Sequence, residues 1–270
     1  MSDIARARPD LRLSELVFEP KRAFLGVVAP DELADTVCAR AAALGVPLRI
    51  ALPTVIRSWD EALLKRWLKA FKARGVTRFE LGNIGALELL RAWGLSEDAD
   101  LVTDFSLYAL NASAAEEWLR RGFGTVTLSI EDDRENLSKV LHSWPAGLKA
   151  QAILFKDTPL FIAEACSLTA LHNGCPTAKV CGYRSLEIEN PAGERFMVAH
   201  ESCKSIVYGK KAYSVTHFQQ ELLRLGVGLF RLDFLTRPYD SEGLTRVIDA
   251  ALAGQPIIET HAANYERGLT

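Results

Sequence analysis

The sequence predicts an α/β fold: a TIM-barrel-like (β/α) barrel, whole or incomplete, carrying a Cys-rich β-hairpin insertion. Three observations predict it. Short runs of β-forming residues recur about one βα unit apart through the first 165 residues. Amphipathic stretches that end on glycine fill the gaps between them. No Gly-x-Gly-x-x-Gly follows any of the runs, so nothing marks the dinucleotide crevice of an open doubly wound sheet. Strand, helix, glycine and strand in repetition means parallel pairing through crossover helices.

The N-terminal stretch MSDIARARPDLRLSE is polar, and residues 1–20 read as an extension ahead of one barrel domain over 21–270. The strand runs then follow in order: AFLGVV (Ala23 to Val28), PLRIALP (Pro47 to Pro53), TRFELG (Thr77 to Gly82), DLVTDF (Asp100 to Phe105), GTVTLS (Gly124 to Ser129) and KAQAILF (Lys149 to Phe155). Between them, DEALLKRWLKAFKARG places Leu63, Leu64, Trp67, Leu68 and Phe71 on one stripe of a 3.6-residue period. Lys72 and Arg74 fall in its last turn and Gly75 at the position after the cap. DELADTVCARAAALG and ASAAEEWLRRG end in the same way. The order breaks after TPLFIAEAC, and residues 166–214 form the insertion. Within it, two extended runs flank Asn190-Pro191-Ala192-Gly193, a hairpin with a Pro/Gly turn. Helix HFQQELLRLG, strand GLFRLDF (Gly228 to Phe234) and helix EGLTRVIDAALAG restore the order, giving six or seven parallel strands.

A chain of 270 residues, 49% hydrophobic and 24% charged, has the make-up of a globular enzyme with a large core. Its net charge of -2 exerts no global pull toward nucleic acid or anionic membrane. Lys204, Lys210 and Lys211 are either a local basic patch or a solvated loop. No apolar run is long enough to span a bilayer and the N-terminus has no apolar signal core, so the expectation is a cytoplasmic protein with no membrane span.

Cysteine is unevenly used. Four of the five thiols, Cys166, Cys175, Cys181 and Cys203, occupy one 38-residue stretch spaced C-x8-C-x5-C-x21-C. An unsecreted chain of this length is not a disulfide scaffold. Three readings stand: buried thiols acting as small hydrophobes, tetrahedral zinc, whose usual close cysteine pairs are absent, or an iron–sulfur cluster, whose ligand spacing is looser. His172 and His200 lie in the same segment and are possible substitute ligands. Cys38 sits in a helix of alanines and leucines and reads as a packed core thiol.

The stretch TPLFIAEACSL, the following cysteines, LEIENPAGERFMV and the last Ser-Cys resemble the cysteine region of the collagenase-like peptidases, family U32. ALPTVI, FELGNIGALELL, VTDFSLYALNASAAEEWLRRGFGTVTLSIE and THAANYERGL agree with it, so the likeness covers about residues 45–270. The resemblance implies a TIM-barrel-like fold and a four-iron four-sulfur cluster on Cys166, Cys175, Cys181 and Cys203. It implies hydroxylase-like activity on RNA or a small aromatic substrate, with a prephenate-like hydroxyl donor. The runner-up activity is that of a collagenase-like peptidase, and the third reading is a non-catalytic accessory domain with a structural metal cluster. The family's usual opening strand and G-A-D-x-V-Y-x-G run are absent, so the chain resembles the later part of a family barrel. A partner subunit or a missing N-terminal barrel segment is then expected to complete it. PLFIAEAC also lacks the family's His-Gly pair before the cysteine.

Working residues of such barrels stand at the C-terminal ends of the strands. Those ends carry Pro53, Arg57, Asn83, Asp104, Ser129, Glu131, Arg231 and Asp233. Asp104 and Glu131 are candidate general bases and Arg231 completes the catalytic candidates. Arg57, Asn83 and Asp233 are the substrate-binding candidates, an Arg with an Asn suiting a small carboxylate. Each has a plainer reading as a strand-end cap or salt bridge. Hydrolytic signatures are absent: there is no H-E-x-x-H or G-x-S-x-G, and Ser129 has no evident histidine partner. A Cys166/His172 thiol pair would compete with cluster ligation.

Overall fold

A computed structural model describes residues 11–20, 28–177, 185–201 and 203–268. Its main sheet has seven parallel strands: β1 (Leu16–Phe18), β2 (Leu48–Ala51), β3 (Arg78–Leu81), β4 (Asp100–Thr103), β5 (Phe123–Thr127), β6 (Lys149–Lys156) and β12 (Leu229–Leu232). They pair in chain order, β1 to β6 and then β12, the singly wound order of a barrel. A two-residue strand, β11 (Tyr213–Ser214), runs antiparallel to the end of β6. Helices α1 (Pro30–Ala43), α2 (Ser58–Lys72), α3 (Gly85–Ala92), α4 (Ala112–Arg120) and α5 (Arg134–His142) alternate with the strands. α7 (Gln219–Arg224) and α8 (Ser241–Ala253) flank β12.

The sheet is curled. β3 and β12 are separated by three strands, so in a flat sheet they would lie about 19 Å apart at ~4.8 Å per step. Instead Arg231 on β12 reaches Glu80 on β3 at 2.7 Å. Among the described residues β1 and β12 do not pair, so the barrel is incomplete.

Local chemistry explains the helices. On α2 the apolar stripe is buried as its period requires: Leu64, Trp67, Leu68 and Phe71 are at most 2% exposed, each contributing roughly 1.5–3 kcal/mol of transfer free energy. Asn111, Asp133 and Asp240 cap α4, α5 and α8 by accepting from Ala114, Asn136 and Gly243 N–H. Gly75, after α2, takes φ +82°, the left-handed conformation that lets the chain turn back into β3.

The insertion is a four-stranded antiparallel sheet, β7 (Pro159–Ala163), β8 (Leu186–Glu189), β9 (Arg195–Glu201) and β10 (Lys204–Gly209), in the order β7-β10-β9-β8. It begins at residue 159, seven residues before the position from which the sequence reading starts it. β8 and β9 are the expected hairpin, with Asn190 N–H donating to the Glu194 carbonyl and Gly193 at φ +80°. A short helix, α6 (Ser167–Leu171), follows β7. The sequence reading begins the barrel at residue 21 and so leaves out β1, which pairs with β2 from Leu16 to Phe18. Apart from Val28, its first strand, Ala23 to Val28, lies outside the described residues.

Candidate active site at the barrel mouth

Charged side chains inside the curled sheet gather at its two ends. At the N-terminal end, Arg49 bonds Glu15 at 3.0 Å and Asp100 at 3.2 Å, and Arg78 bonds Glu15 at 3.2 Å. Reaction chemistry is not expected at that end of a barrel; such ties hold strands together.

The C-terminal end holds the richer set. Phe79 and Leu81 are fully buried in the core shared with the helices, so strand alternation aims Glu80 between them into the barrel. Asp104 follows β4, its N–H donating to the Leu81 carbonyl. Asp233 follows β12 and donates its N–H to the Phe155 carbonyl. Arg231 then joins all three acids: Nη1 to Glu80 Oε1 at 2.7 Å and to Asp104 Oδ1 at 3.1 Å, Nη2 to Asp233 Oδ2 at 3.0 Å. Lys156, at the end of β6, pairs with Asp233 and stands 5.2 Å from the centre of the Phe105 ring. Next to it, Asp157 pairs with Arg237 at 2.8 Å and accepts from the Tyr239 hydroxyl at 3.1 Å.

Three carboxylates thus share the interior with two cations, and one acid is in excess. Burial pushes the Glu80 carboxyl up to about 7, against the pull of Arg231. Burial also opposes the charge on Asp233, but Lys156 and Arg231 outweigh it and hold that carboxyl at about 2. Lys156 is likewise disfavoured by burial, yet Asp233 and Asp104 keep it protonated. With Glu80 carrying a proton the set is electrically balanced. A cavity of about 100 Å³ adjoins it, with Glu80, Asp104, Lys156 and Arg231 on the barrel side and Ile162 and Tyr208 of the small sheet on the other. The insertion therefore roofs the barrel mouth.

Of the sequence-predicted residues, the structure brings together Asp104, Arg231 and Asp233. It places the others apart from them. Arg57 sits at the rim ahead of α2, bonded through Nε to Glu164 Oε2 at 2.9 Å and stacked over Trp59. Asn83 ties two loops, donating to the Thr54 carbonyl at 3.0 Å and accepting from Gly85 N–H. Glu131 accepts from the Tyr108 hydroxyl at 3.2 Å, and Ser129 from Glu131 N–H. Glu80 and Lys156 are the residues that sequence reasoning missed. The signal was present: a lone acid inside RFEL, and a lysine closing the apolar run AILF.

In the cysteine segment, Cys166 precedes α6 and Cys203 forms the β9–β10 turn at φ +61°. Ala163 pairs with Ser205, whose hydroxyl accepts from Ser167 N–H at 2.8 Å, so Cys166 and Cys203 lie at one end of the small sheet. Cys166 is half-buried; Cys175 and Cys203 are exposed. Cys181 lies outside the described residues. Thiolates are the donors that an iron–sulfur centre requires. Among the described residues, however, no three His, Cys, Asp or Glu side chains are gathered into a metal-holding group. His200, buried on β9, lies with Nε2 2.7 Å from Ser167 Oγ. Cys38 packs half-buried against the core, and burial pushes its thiol up.

The fold and this mouth define a class: an incomplete (β/α) barrel with a roofed, acid-rich interior site. No family profile matches the sequence and no curated protein is similar to it. Among solved structures, the chain is similar to the U32 peptidase Mk0906 at 10% identity and TM-score 0.35, over 54% of this chain and 62% of that one. It is similar to a D-psicose 3-epimerase, solved in the presence of D-fructose, at 11% identity and TM-score 0.35, over 56% of this chain and 66% of that one. Likenesses this faint carry no conclusion about family or activity. Among the described residues no helix is long and apolar enough to cross a membrane.

Proposed function

We propose that this chain is a barrel enzyme of the U32 kind, with its chemistry at the C-terminal mouth and Glu80 as the group that takes up and returns a proton. The observation that carries the reading is the buried set of Glu80, Asp104, Asp233, Arg231 and Lys156 beside a roofed cavity. A carboxyl poised near neutral pH suits general acid–base work. The reaction class is hydroxylase-like, on RNA or a small aromatic substrate, with a prephenate-like donor. Such a donor brings carboxylates, and Arg231 is already saturated by three of the chain's own. Arg57 suits that role better. Its guanidinium is largely buried while its partner Glu164 is 65% exposed, so a ligand carboxylate can take the place of Glu164.

A four-iron four-sulfur cluster on the four cysteines belongs to this proposal, with zinc as the alternative metal. When bound it would supply electron transfer. What supports it is the all-thiolate donor set and the shared sheet end of Cys166 and Cys203. No step at Glu80 is routed through it.

A collagenase-like peptidase is the second reading, favoured by one contact: the Ser167 hydroxyl against the His200 imidazole, an arrangement that can activate a nucleophile. The two are separated by one experiment. Anaerobically purified protein is incubated with gelatin, and in parallel with prephenate and RNA from cells lacking this protein. The expected result is prephenate-dependent hydroxylation that Glu80→Gln reduces by about 100-fold or more, with loss of the pH dependence near neutrality. Gelatin cleavage that survives chelation and disappears in Ser167→Ala would reverse the ranking.

A further inference from the structure

We propose that the groove between the β8–β9 turn and the β10–β11 turn binds the backbone of single-stranded RNA. The groove has a volume of about 420 Å³ and is lined by Arg195, Phe196, Lys210, Lys211 and His261, with Glu194 at its edge. Arg195 is paired with Glu189 at 3.1 Å, and Glu194 accepts from the Asn190 amide at 2.7 Å. Lys210 and Lys211 are exposed, and among the described residues neither side chain meets a carboxylate. Lys204, which a sequence reading groups with them, is buried and donates toward the Val55 carbonyl instead. Burial, then Arg267 and Lys211, press the His261 imidazole toward its neutral form, against a hydrogen bond at the Lys211 backbone.

Charge alone would suit any polyanion. Two further features favour nucleic acid. Phe196 is half-buried on β9 between two cross-strand partners, Ile188 of β8 and Gly209 of β10, and on the Gly209 side no side chain flanks the ring. A Cβ at Gly209 would meet only Leu160, at 3.8 Å. An aromatic face beside unpaired lysines in a concave site is the combination that stacks a base while cations hold phosphates. The groove also connects to the mouth. Arg237 donates to the Gly209 and Lys210 carbonyls and pairs with Asp157, which lines the cavity. A strand held in the groove therefore lies one side chain from the reaction site.

The inference extends the reading above, which names RNA, but rests on different residues. Binding of a short labelled oligouridylate is followed by fluorescence anisotropy over a range of salt. Lys210→Glu/Lys211→Glu is expected to weaken binding by about tenfold or more at low salt, and to flatten the log–log salt slope by about 1.4, the value for two lost phosphate contacts on a single strand. Lys210→Ala/Lys211→Ala should give the same slope change with less disturbance. Phe196→Ala should weaken binding by about tenfold at every salt concentration. Unchanged affinity and slope in both lysine variants overturns the proposal. So does a wild-type protein that ignores the oligomer at low salt, or one whose lysines serve anionic vesicles and not RNA. RNA binding without hydroxylation would sink the reaction reading and leave the groove standing.

Discussion

Glu80 shows what one buried residue can reveal. Its carboxyl titrates at 4.5 in open chain and at about 7 in the fold, so between those values the folded state holds a proton that the unfolded state has lost. Stability then falls as pH rises through that window. The size is bounded at about 3.5 kcal/mol, since each pH unit between the two values is worth ~1.4 kcal/mol. Glu80→Gln keeps the shape and removes the titration. Melting curves at pH 5 and pH 8 should show the wild type losing several degrees against Glu80→Gln; parallel pH dependence in the two proteins would contradict the assignment. The residue was legible in part. A lone acid in RFEL announces an inward charge, but its partner Arg231 lies 151 positions away, and a single sequence gives no sign of that pairing. Asp104 and Asp233 were found by a rule about strand ends. Arg231 comes with them because it stands two residues before Asp233, although it and Glu80 each hold the third position of a four-residue strand. Arg57, Asn83 and Glu131 obey the same rule yet spend their polar atoms on Glu164, Thr54, Gly85 and Tyr108.

Among elements, the small sheet matters most because it turns an open barrel end into a closed site. Its hairpin was readable from Asn190-Pro191-Ala192-Gly193, since turn chemistry is local. Its seat on the barrel was not, because it rests on ties distant in sequence, Arg237 among them. That side chain comes from the segment after β12, grips the β10–β11 turn by two carbonyls and pairs with Asp157. Arg237→Ala removes these bonds and leaves Asp157, 3% exposed, without its cation. We expect a loss of about 2–4 kcal/mol in denaturant unfolding. Limited proteolysis should also show faster cleavage near Lys210 and Lys211. A variant as stable as the wild type and equally resistant would mean that the sheet is seated by its other contacts. The strand β1 was missed for a related reason: LVF is a three-residue run inside a polar stretch, and only pairing with β2 makes it a strand.

At the scale of the molecule, the question is what keeps seven parallel strands curled when β1 and β12 do not meet. Helix packing on the outside does part of it, as the buried stripe of α2 shows. Inside, the barrel is not filled by apolar layers; it is crossed by Arg231, which joins β12 to β3 and to the end of β4. That crossing was invisible in the sequence, although the alternation that produced the barrel assignment was plain. It makes a strong prediction about coupling. Arg231→Met keeps much of the side-chain volume but leaves Glu80, Asp104 and Asp233 facing one another with Lys156 as their single cation. An uncompensated buried charge of this kind costs about 3–5 kcal/mol. Losing Arg231 also pushes the Glu80 carboxyl up further. The double variant with Glu80→Gln should therefore be at least as stable as Arg231→Met alone at pH 8, and clearly more stable in stronger alkali, where Glu80 is forced to ionise. At pH 5, where Glu80 is already protonated, adding Glu80→Gln should change little. A double-mutant cycle by urea unfolding at each pH reads this directly. Additive effects at every pH would show that Arg231 and Glu80 do not share one electrostatic site, and the mouth would lose its claim to be a single proton-carrying centre.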